Sequence, residues 1–364
     1  MVETKKSKLP VSLDLQVTEN CNLRCKMCYF WGEKGCFTRE SSQNKPKMLD
    51  IDLIKRVIGE LDQGPAYISL FGGEPLTYPY LEELIKTVKE AKFHINTPTN
   101  GTLLDKDAKM LVKTKFDLIR LSIDGTRKVN DLQRGLGSYD RAMYGIECLA
   151  EEKLKSNSKI PHIEILYTIT PLTYTVIEDF FMNNLNLSLY EDVTFQMENF
   201  ITEEMGNAYA IWMESEFGIK SDKYWHGMVR SPNYFDQMDV KELTRQVCNV
   251  LKYLTNHGKK ARILPPTCSY NNFNAYFKAD WNKMNDRYNG CPAPWGGINI
   301  TASGDVAPCH IFFDFTLGNL YEQSLDEIWN GGLFNRFRNY MKQSLLLPIC
   351  NGCCVLYLVG RKIK

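Results

Sequence analysis

Residues 13–30, LDLQVTENCNLRCKMCYF, set a strand and three cysteines in direct succession. Leu13, Leu15 and Val17 alternate with Asp14, Gln16 and Thr18, the two-residue period of a strand. Cys21, Cys25 and Cys28 then fall in a CxxxCxxC pattern on the loop that follows. Three thiolates this close are not a disulfide framework, and a four-coordinate zinc would need a fourth ligand from elsewhere. They suit a 4Fe–4S cube, holding three irons and leaving the fourth open. An open iron is what catalysis requires.

Working outward, the pattern repeats. Apolar residues at helical spacing (Ile51, Ile54, Val57, Ile58, Leu61) predict a helix over 50–63. Strands are predicted at 66–71, 92–97, 117–123, 161–170 and 192–198, with helices at 80–91, 105–114, 138–153 and 174–185 between them. Strict β/α alternation implies a parallel sheet with helices outside, its chemistry on the loops after the strands. Residues 201–290 break the pattern and are rich in Asn, Tyr and Trp, reading as a connecting segment or substrate lid. Residues 291–364 carry well-spaced cysteines and read as a small metal-stapled domain after a 1–200 barrel.

Composition narrows the function. Lys+Arg number 44 and Asp+Glu 43, so there is no broad basic field for nucleic acid, and acidic residues interrupt basic stretches such as Lys106–Lys115. No apolar run is long enough to span a membrane, and the polar start Met1–Pro10 has no apolar stretch of a secretion signal after it. A cytoplasmic chain with twelve cysteines points to metal rather than disulfides. Cys36, Cys148, Cys248, Cys268 and Cys354 fall outside the two ligand-like groups, and buried thiols are the expectation for most of them.

CNLRCKMC after strand one resembles the radical S-adenosylmethionine (SAM) superfamily. Further matches follow in order: Phe71-Gly72-Gly73-Glu74-Pro75, Leu121-Ser122-Ile123-Asp124-Gly125, and Arg134-Gly135-Leu136-Gly137-Ser138-Tyr139. The resemblance implies an α/β fold, a partial (β/α)6 TIM-like barrel with a small C-terminal iron–sulfur domain. It also implies that SAM chelates the open iron. Gly72 and Gly73 would let backbone approach SAM, and Glu74, beside Pro75, would balance a cationic group. Asn100 would help shape the ribose pocket, Ser122 and Asp124 would meet polar groups, and Arg134 would pair with the carboxylate. Many members carry an aromatic between the second and third cysteines. Here Met27 stands there, with Tyr29 and Phe30 just after, so the residue against adenine is left open.

Cys291, Cys309, Cys350 and Cys353 form the second group, spaced C-x17-C and then C-x2-C. Four thiolates close a first shell, and spacing alone does not choose between iron–sulfur and zinc. The context Gly304-Asp305-Val306, Pro308-Cys309, Leu317-Gly318-Asn319 and Ser324-Leu325 resembles the auxiliary-cluster extension called SPASM in its two-cluster form and twitch in its one-cluster form. That resemblance implies one auxiliary 4Fe–4S cluster, with Cys354 an alternative ligand.

The family mechanism implies SAM cleavage to a 5′-deoxyadenosyl radical, hydrogen abstraction from substrate, and electron loss to the auxiliary cluster. His310, next to Cys309, is the candidate base, with Asp314 and Glu198 behind it and Tyr167 and Gln196 as pocket-lining candidates. The expected substrate is a small molecule such as a sugar or cyclitol alcohol, met by the Asn- and aromatic-rich middle segment. The alternative is a peptide, and the short stretch before Cys21, with no leader-binding domain, weighs against it. A SAM-binding scaffold without chemistry is the remote reading. The expected electron donor is a flavodoxin- or ferredoxin-type protein, with no nucleic-acid or membrane partner.

Overall fold

The computed structural model describes residues 9–40, 45–61, 66–221 and 224–363. The expected polar start over Met1–Lys8 and the last two positions of the first predicted helix, 62–63, lie outside them.

Seven parallel strands build the frame. β1 (Ser12–Thr18), β2 (Tyr67–Gly72), β3 (His94–Thr99), β4 (Leu118–Ser122), β5 (His162–Ile169), β6 (Asp192–Met197) and β7 (Lys260–Leu264) pair in chain order. The first six stand where alternation put them, and helices such as Ile51–Glu60, Leu81–Glu90 and Leu104–Lys113 connect them. Ile51–Glu60 starts where the Asp50 side chain accepts from the backbone N–H groups of Asp52 and Leu53, satisfying donors the first turn leaves free. Its apolar stripe, Ile51, Ile54, Val57 and Ile58, is buried in the core.

Alternation decides the two faces of the sheet. Leu13, Leu15 and Val17 are buried in the main hydrophobic core, while the alternate positions carry polar groups that bond across strands. Arg120 donates to Asn96 Oδ1 at 2.6 Å and to Glu164 Oε2 at 3.0 Å, and Arg262 donates to Glu164 Oε1 at 2.9 Å. This side of the sheet is therefore held by a charged network spanning β3, β4, β5 and β7.

The middle segment is not a plain connection. It supplies the helices Glu203–Phe217, Val240–Asn256 and Tyr270–Phe277, and β7 extends the parallel sheet beyond β6. After the short strand β8 (Tyr288–Gly290), the C-terminal segment supplies β9 (Gly297–Ile300), parallel to β1 on its outer edge. β10 (Asp305–Ala307) and β11 (Gly318–Asn319) continue the sheet antiparallel. β12 (Arg361–Lys362) pairs back on β8, anchoring the chain's last turn. No helix among the described residues is long and apolar enough to cross a membrane.

Candidate functional site

The loop after β1 is shaped by its own backbone. Cys28 N–H donates to the Cys25 carbonyl at 3.1 Å, Gly32 N–H to the Cys28 carbonyl at 2.8 Å, and Arg24 to the Cys21 carbonyl at 2.8 Å. Lys26 N–H bonds the Gln133 carbonyl at 2.9 Å, tying the loop to the helix Arg127–Arg134. Cys21, Cys25 and Cys28 line one cavity of about 260 Å³ at the C-terminal ends of the strands. Burial pushes the Cys21 thiol up to about 11 and the Cys25 thiol up to about 12. Thiolates there need a strong positive charge beside them, which a cluster of iron supplies.

Met27, Tyr29, Gly72, Gly73, Glu74, Pro75, Asn100, Ser122 and Arg134 line the same cavity. The two glycines have a more immediate cause than approach to a ligand. Gly72 has φ +132°, and a Cβ on it would meet the Thr18 carbonyl. A Cβ on Gly73 would fall on the Asn20 backbone and 2.6 Å from the Glu19 carbonyl. The β2 loop thus presses on the cysteine loop, with Gly73 N–H to the Thr18 carbonyl at 2.8 Å and Glu74 N–H to the Asn20 carbonyl at 2.7 Å. Glu74 accepts from Thr99 Oγ1 (2.7 Å), Asn100 N–H (2.8 Å) and Leu76 N–H (3.1 Å), binding the loops of β2 and β3 together. Asn100 in turn donates to Asn22 Oδ1 at 2.9 Å, inside the cysteine loop.

Asp124 does not reach the cavity. It is wholly buried behind Arg134, with Oδ2 2.7 Å from Arg134 Nε, and it accepts from Gln133 Nε2 (2.9 Å) and Thr168 N–H (2.7 Å). Its carboxylate is paired with Arg134 and does not line the cavity. Tyr167 also departs from expectation. It sits in the core against Phe180, Phe181 and Phe195, its hydroxyl donating to the Thr173 carbonyl at 2.8 Å.

Gln196, Glu198 and Asn199, at the end of β6 and just after it, complete the cavity wall. Glu198 Oε1 accepts from Arg230 Nε at 2.8 Å, and Arg230 also donates to the Met27 carbonyl at 3.3 Å. Burial pushes the Glu198 carboxyl up to about 7, against the lowering pull of Arg230. Its Oε2 and the Oδ1 of Asn199 are buried acceptors with no partner among the described residues. Arg230 was invisible to pattern reading because nothing in the middle segment marks which cation will fold onto the cysteine loop.

Cys291, Cys309, Cys350 and Cys353 line a second cavity with His310, Phe312, Phe337, Met341 and Leu356. Burial pushes Cys350 up to about 12 and raises Cys309 and Cys353 strongly. Among the described residues no three His, Cys, Asp or Glu converge on a point that would hold one metal ion. His310 belongs to this cavity, not the first: its Nε2 is 3.6 Å from Cys353 Sγ. Asp314 is held by Tyr209 Oη at 2.6 Å and by Ser221. Cys354 takes a contact from Asn199 Nδ2 at 3.4 Å, so a first-cavity residue touches the chain segment of the second.

The remaining cysteines sort by contact. Cys36 is buried among Phe30, Trp31, Phe37 and Phe313. Cys248 and Cys268, expected as separate thiols, form a disulfide between the helix Val240–Asn256 and the loop after β7. Part of the Asn- and aromatic-rich middle segment, expected to meet a sugar, is core. Asn272, Phe273, Tyr276, Phe277 and Trp281 are buried, the aromatics packing on one another and on Phe200 and Phe235, and none lines the cysteine cavity.

A cavity over the strand ends of a parallel β/α sheet, walled by three half-buried cysteines, defines an α/β protein with a metal-cofactor site at its C-terminal strand ends. The family model described as the radical SAM superfamily matches residues 15–172, and that described as a SPASM iron–sulfur cluster-binding domain matches 291–354. The chain belongs to the radical SAM superfamily and carries a C-terminal SPASM domain; it is an enzyme whose cofactors are SAM and 4Fe–4S clusters. It is 33% identical over 157 residues to the Fe-coproporphyrin III synthase of Methanosarcina barkeri, a match covering 43% of this chain and 37% of that protein. It is 25% identical to the pre-heme d1 synthase of Dinoroseobacter shibae over 86% of this chain and 72% of that one. To the cysteine-type anaerobic sulfatase-maturating enzyme of Clostridium novyi it is 22% identical, over 92% of this chain and 83% of that one. The solved structure of native anSMEcpe with bound AdoMet shares the fold, with TM-score 0.61 and 19% identity over 97% of this chain and 89% of that one.

Proposed function

We propose that Cys21, Cys25 and Cys28 hold the open 4Fe–4S cluster, that Cys291, Cys309, Cys350 and Cys353 hold the auxiliary one, and that the enzyme modifies a residue within a peptide or protein. The bound cofactors supply one-electron cleavage of SAM to a 5′-deoxyadenosyl radical that takes hydrogen from a C–H bond. The chain's own residues position that event. Arg134, held by Asp124, offers its guanidinium to a carboxylate, and a planar fork suits that partner. Gly72–Pro75 and Asn100 form the shelf opposite the cysteines, and the tight contact of Gly73 with Asn20 keeps shelf and loop in register. Glu198 lies on the cavity wall with an unpartnered oxygen, and its carboxyl is poised near neutral pH to accept a proton from substrate. His310, beside Cys353, is assigned to the auxiliary site as a thiol partner. Four cysteines leave no open position there, which suits carriage of an electron rather than binding of substrate.

The observation that carries this reading is the single cavity that gathers the three cysteines, Gly72–Gly73–Glu74 and Arg134 from the segments that follow three separate strands, β1, β2 and β4. The peptide reading is supported by the near full-length likeness to a sulfatase-maturating enzyme. The middle-segment residues Asn272, Phe273, Tyr276, Phe277 and Trp281, being core, lend the sugar reading no support in this cavity. The test is isotope transfer. Reconstituted enzyme with SAM and dithionite is incubated with a perdeuterated tryptic peptide pool or with a perdeuterated small-metabolite pool. Deuterium in 5′-deoxyadenosine from the peptide pool alone supports the reading, and from the metabolite pool alone defeats it.

A further inference from the structure

The helix Gly332–Ser344 carries an apolar stripe with one charged residue inside it. Phe334, Phe337 and Met341 are buried at helical spacing, and Arg338 falls on the same stripe, only 5% exposed. Its guanidinium donates from Nε to the Pro294 carbonyl at 2.9 Å and from Nη1 to the Trp329 carbonyl at 2.6 Å. It lies over the Trp329 ring at 4.0 Å and the Phe334 ring at 3.6 Å. Nη2 is buried with no hydrogen-bond partner among the described residues. Carbonyls and ring faces attract a cation, but none of them carries a net negative charge.

Other buried guanidiniums of this protein are neutralised. Arg134 pairs with Asp124 at 2.7 Å, and Arg230 with Glu198 at 2.8 Å. Arg338 has no carboxylate partner among the described residues, and burial pulls it down to about 10 with no acid opposing that pull. It is still charged at neutral pH, and a buried charge left uncompensated is costly. The auxiliary cavity adjoins it. Pro294, which takes the Nε bond, lines that cavity together with the four auxiliary cysteines. So do Phe337, the preceding residue of the helix, and Met341, one turn further on. Four thiolates around a 4Fe–4S cube give it a net negative charge, larger by one electron when reduced.

We propose that Arg338 is the counter-charge of the auxiliary cluster and holds that cluster's reduction potential up. The proposal rests on the reading that Cys291, Cys309, Cys350 and Cys353 hold a 4Fe–4S cluster. On reduction the cluster takes up one electron; no bond is made or broken, no proton moves, and Arg338 stays cationic in both states. A fixed cation favours the more negative state, so it makes the closed cluster a better electron acceptor.

The test uses reconstituted enzyme, wild type against Arg338→Met and Arg338→Lys. Titration with dithionite, followed by electron paramagnetic resonance, reads both clusters. The signal that changes on adding SAM belongs to the open cluster, and the one that does not belongs to the auxiliary. Arg338→Met removes the charge and should shift the auxiliary cluster's reduction equilibrium about tenfold toward the oxidised form, a potential lower by about 59 mV for one electron. Arg338→Lys keeps the charge but not the planar fork, and should stay within about twofold of wild type. The open cluster's equilibrium should be unmoved in both variants. An unmoved auxiliary potential in Arg338→Met overturns the proposal, and so do equal shifts in the two variants, which would make the fork rather than the charge responsible. If Arg338→Met loses the auxiliary iron altogether, retention of that iron at wild-type potential in Arg338→Lys supports the proposal, and loss from both overturns it. A wild type with no SAM-insensitive signal defeats the cluster reading and the proposal with it. A wild type with both signals confines any failure to Arg338.

Discussion

Replacing Asp124 by Asn tests how the cofactor cavity is held from behind. Asp124 is fully buried and Arg134 nearly so, with their charged atoms 2.7 Å apart. Arginine stays charged in proteins, so the variant leaves a buried cation without its counter-charge. Breaking a buried pair in this way costs about 3–5 kcal/mol. The amide adds a second difficulty. Asp124 Oδ1 accepts from Thr168 N–H, and an Asn oxygen can keep that bond. The amide NH2 then faces the Gln133 Nε2 donor and the Arg134 guanidinium. Gln133 cannot turn over without losing the bond from Thr170 Oγ1 to its own oxygen at 2.8 Å. The cofactor-free variant should therefore unfold at a clearly lower urea concentration, consistent with a loss of about 3 kcal/mol or more. If Arg134 grips the SAM carboxylate, a charge-assisted bond worth about 1.5–3 kcal/mol is weakened too. SAM affinity, measured by equilibrium dialysis on reconstituted enzyme, should fall about 10- to 150-fold. Wild-type unfolding together with wild-type affinity would refute the view that Asp124 acts through Arg134.

Three further outcomes follow from the same geometry. Gly73→Ala pushes a methyl group onto the Asn20 backbone, so the cysteine loop must shift; iron analysis should show loss of the first cluster with the auxiliary one retained. Glu198 has its carboxyl raised from an ordinary 4.5 to about 7, so the folded protein favours the protonated form. Its contribution to stability is full below pH 4.5 and is lost as pH rises through about 7, a change on the order of 3 kcal/mol. Glu198→Gln should remove that slope from the pH dependence of the cofactor-free protein's urea midpoint, and an unchanged slope would contradict the assignment. Cys350→Ala opens the auxiliary set and removes the sulfur that accepts from Leu347 N–H at 3.3 Å; SAM cleavage driven by dithionite should persist, while iron per chain falls by about half.

The parts legible in the sequence were those written in local chemistry. A two-residue alternation at Leu13–Thr18 cannot be anything but a strand with one apolar face, and a helical stripe such as Ile51–Ile58 needs no partner to be recognised. Cys21, Cys25 and Cys28 with Gly72–Gly73 were legible because few chemistries need those residues at those spacings. Contacts that depend on tertiary placement were not. β7 reads KARIL, and its Arg262 meets Thr194 and Glu164 only once the sheet has formed. Arg230 meets Glu198 across a separation of 32 residues, and no pattern announces it. The motif position of Asp124 suggested a ligand contact, but its burial behind Arg134 is a property of packing. Cys248 and Cys268 looked like isolated thiols because their partnership is made by a helix and a loop 20 residues apart.

The central claim is one open and one closed cluster on two separate sets of cysteines. Iron and acid-labile sulfide per chain, measured after anaerobic reconstitution of the wild type and of a Cys21→Ala/Cys25→Ala/Cys28→Ala variant, test it most directly. Two four-iron clusters predict about eight irons and eight sulfides in the wild type and about four of each in the variant. About four irons in the wild type and none in the variant, or equal iron in both proteins, would contradict it.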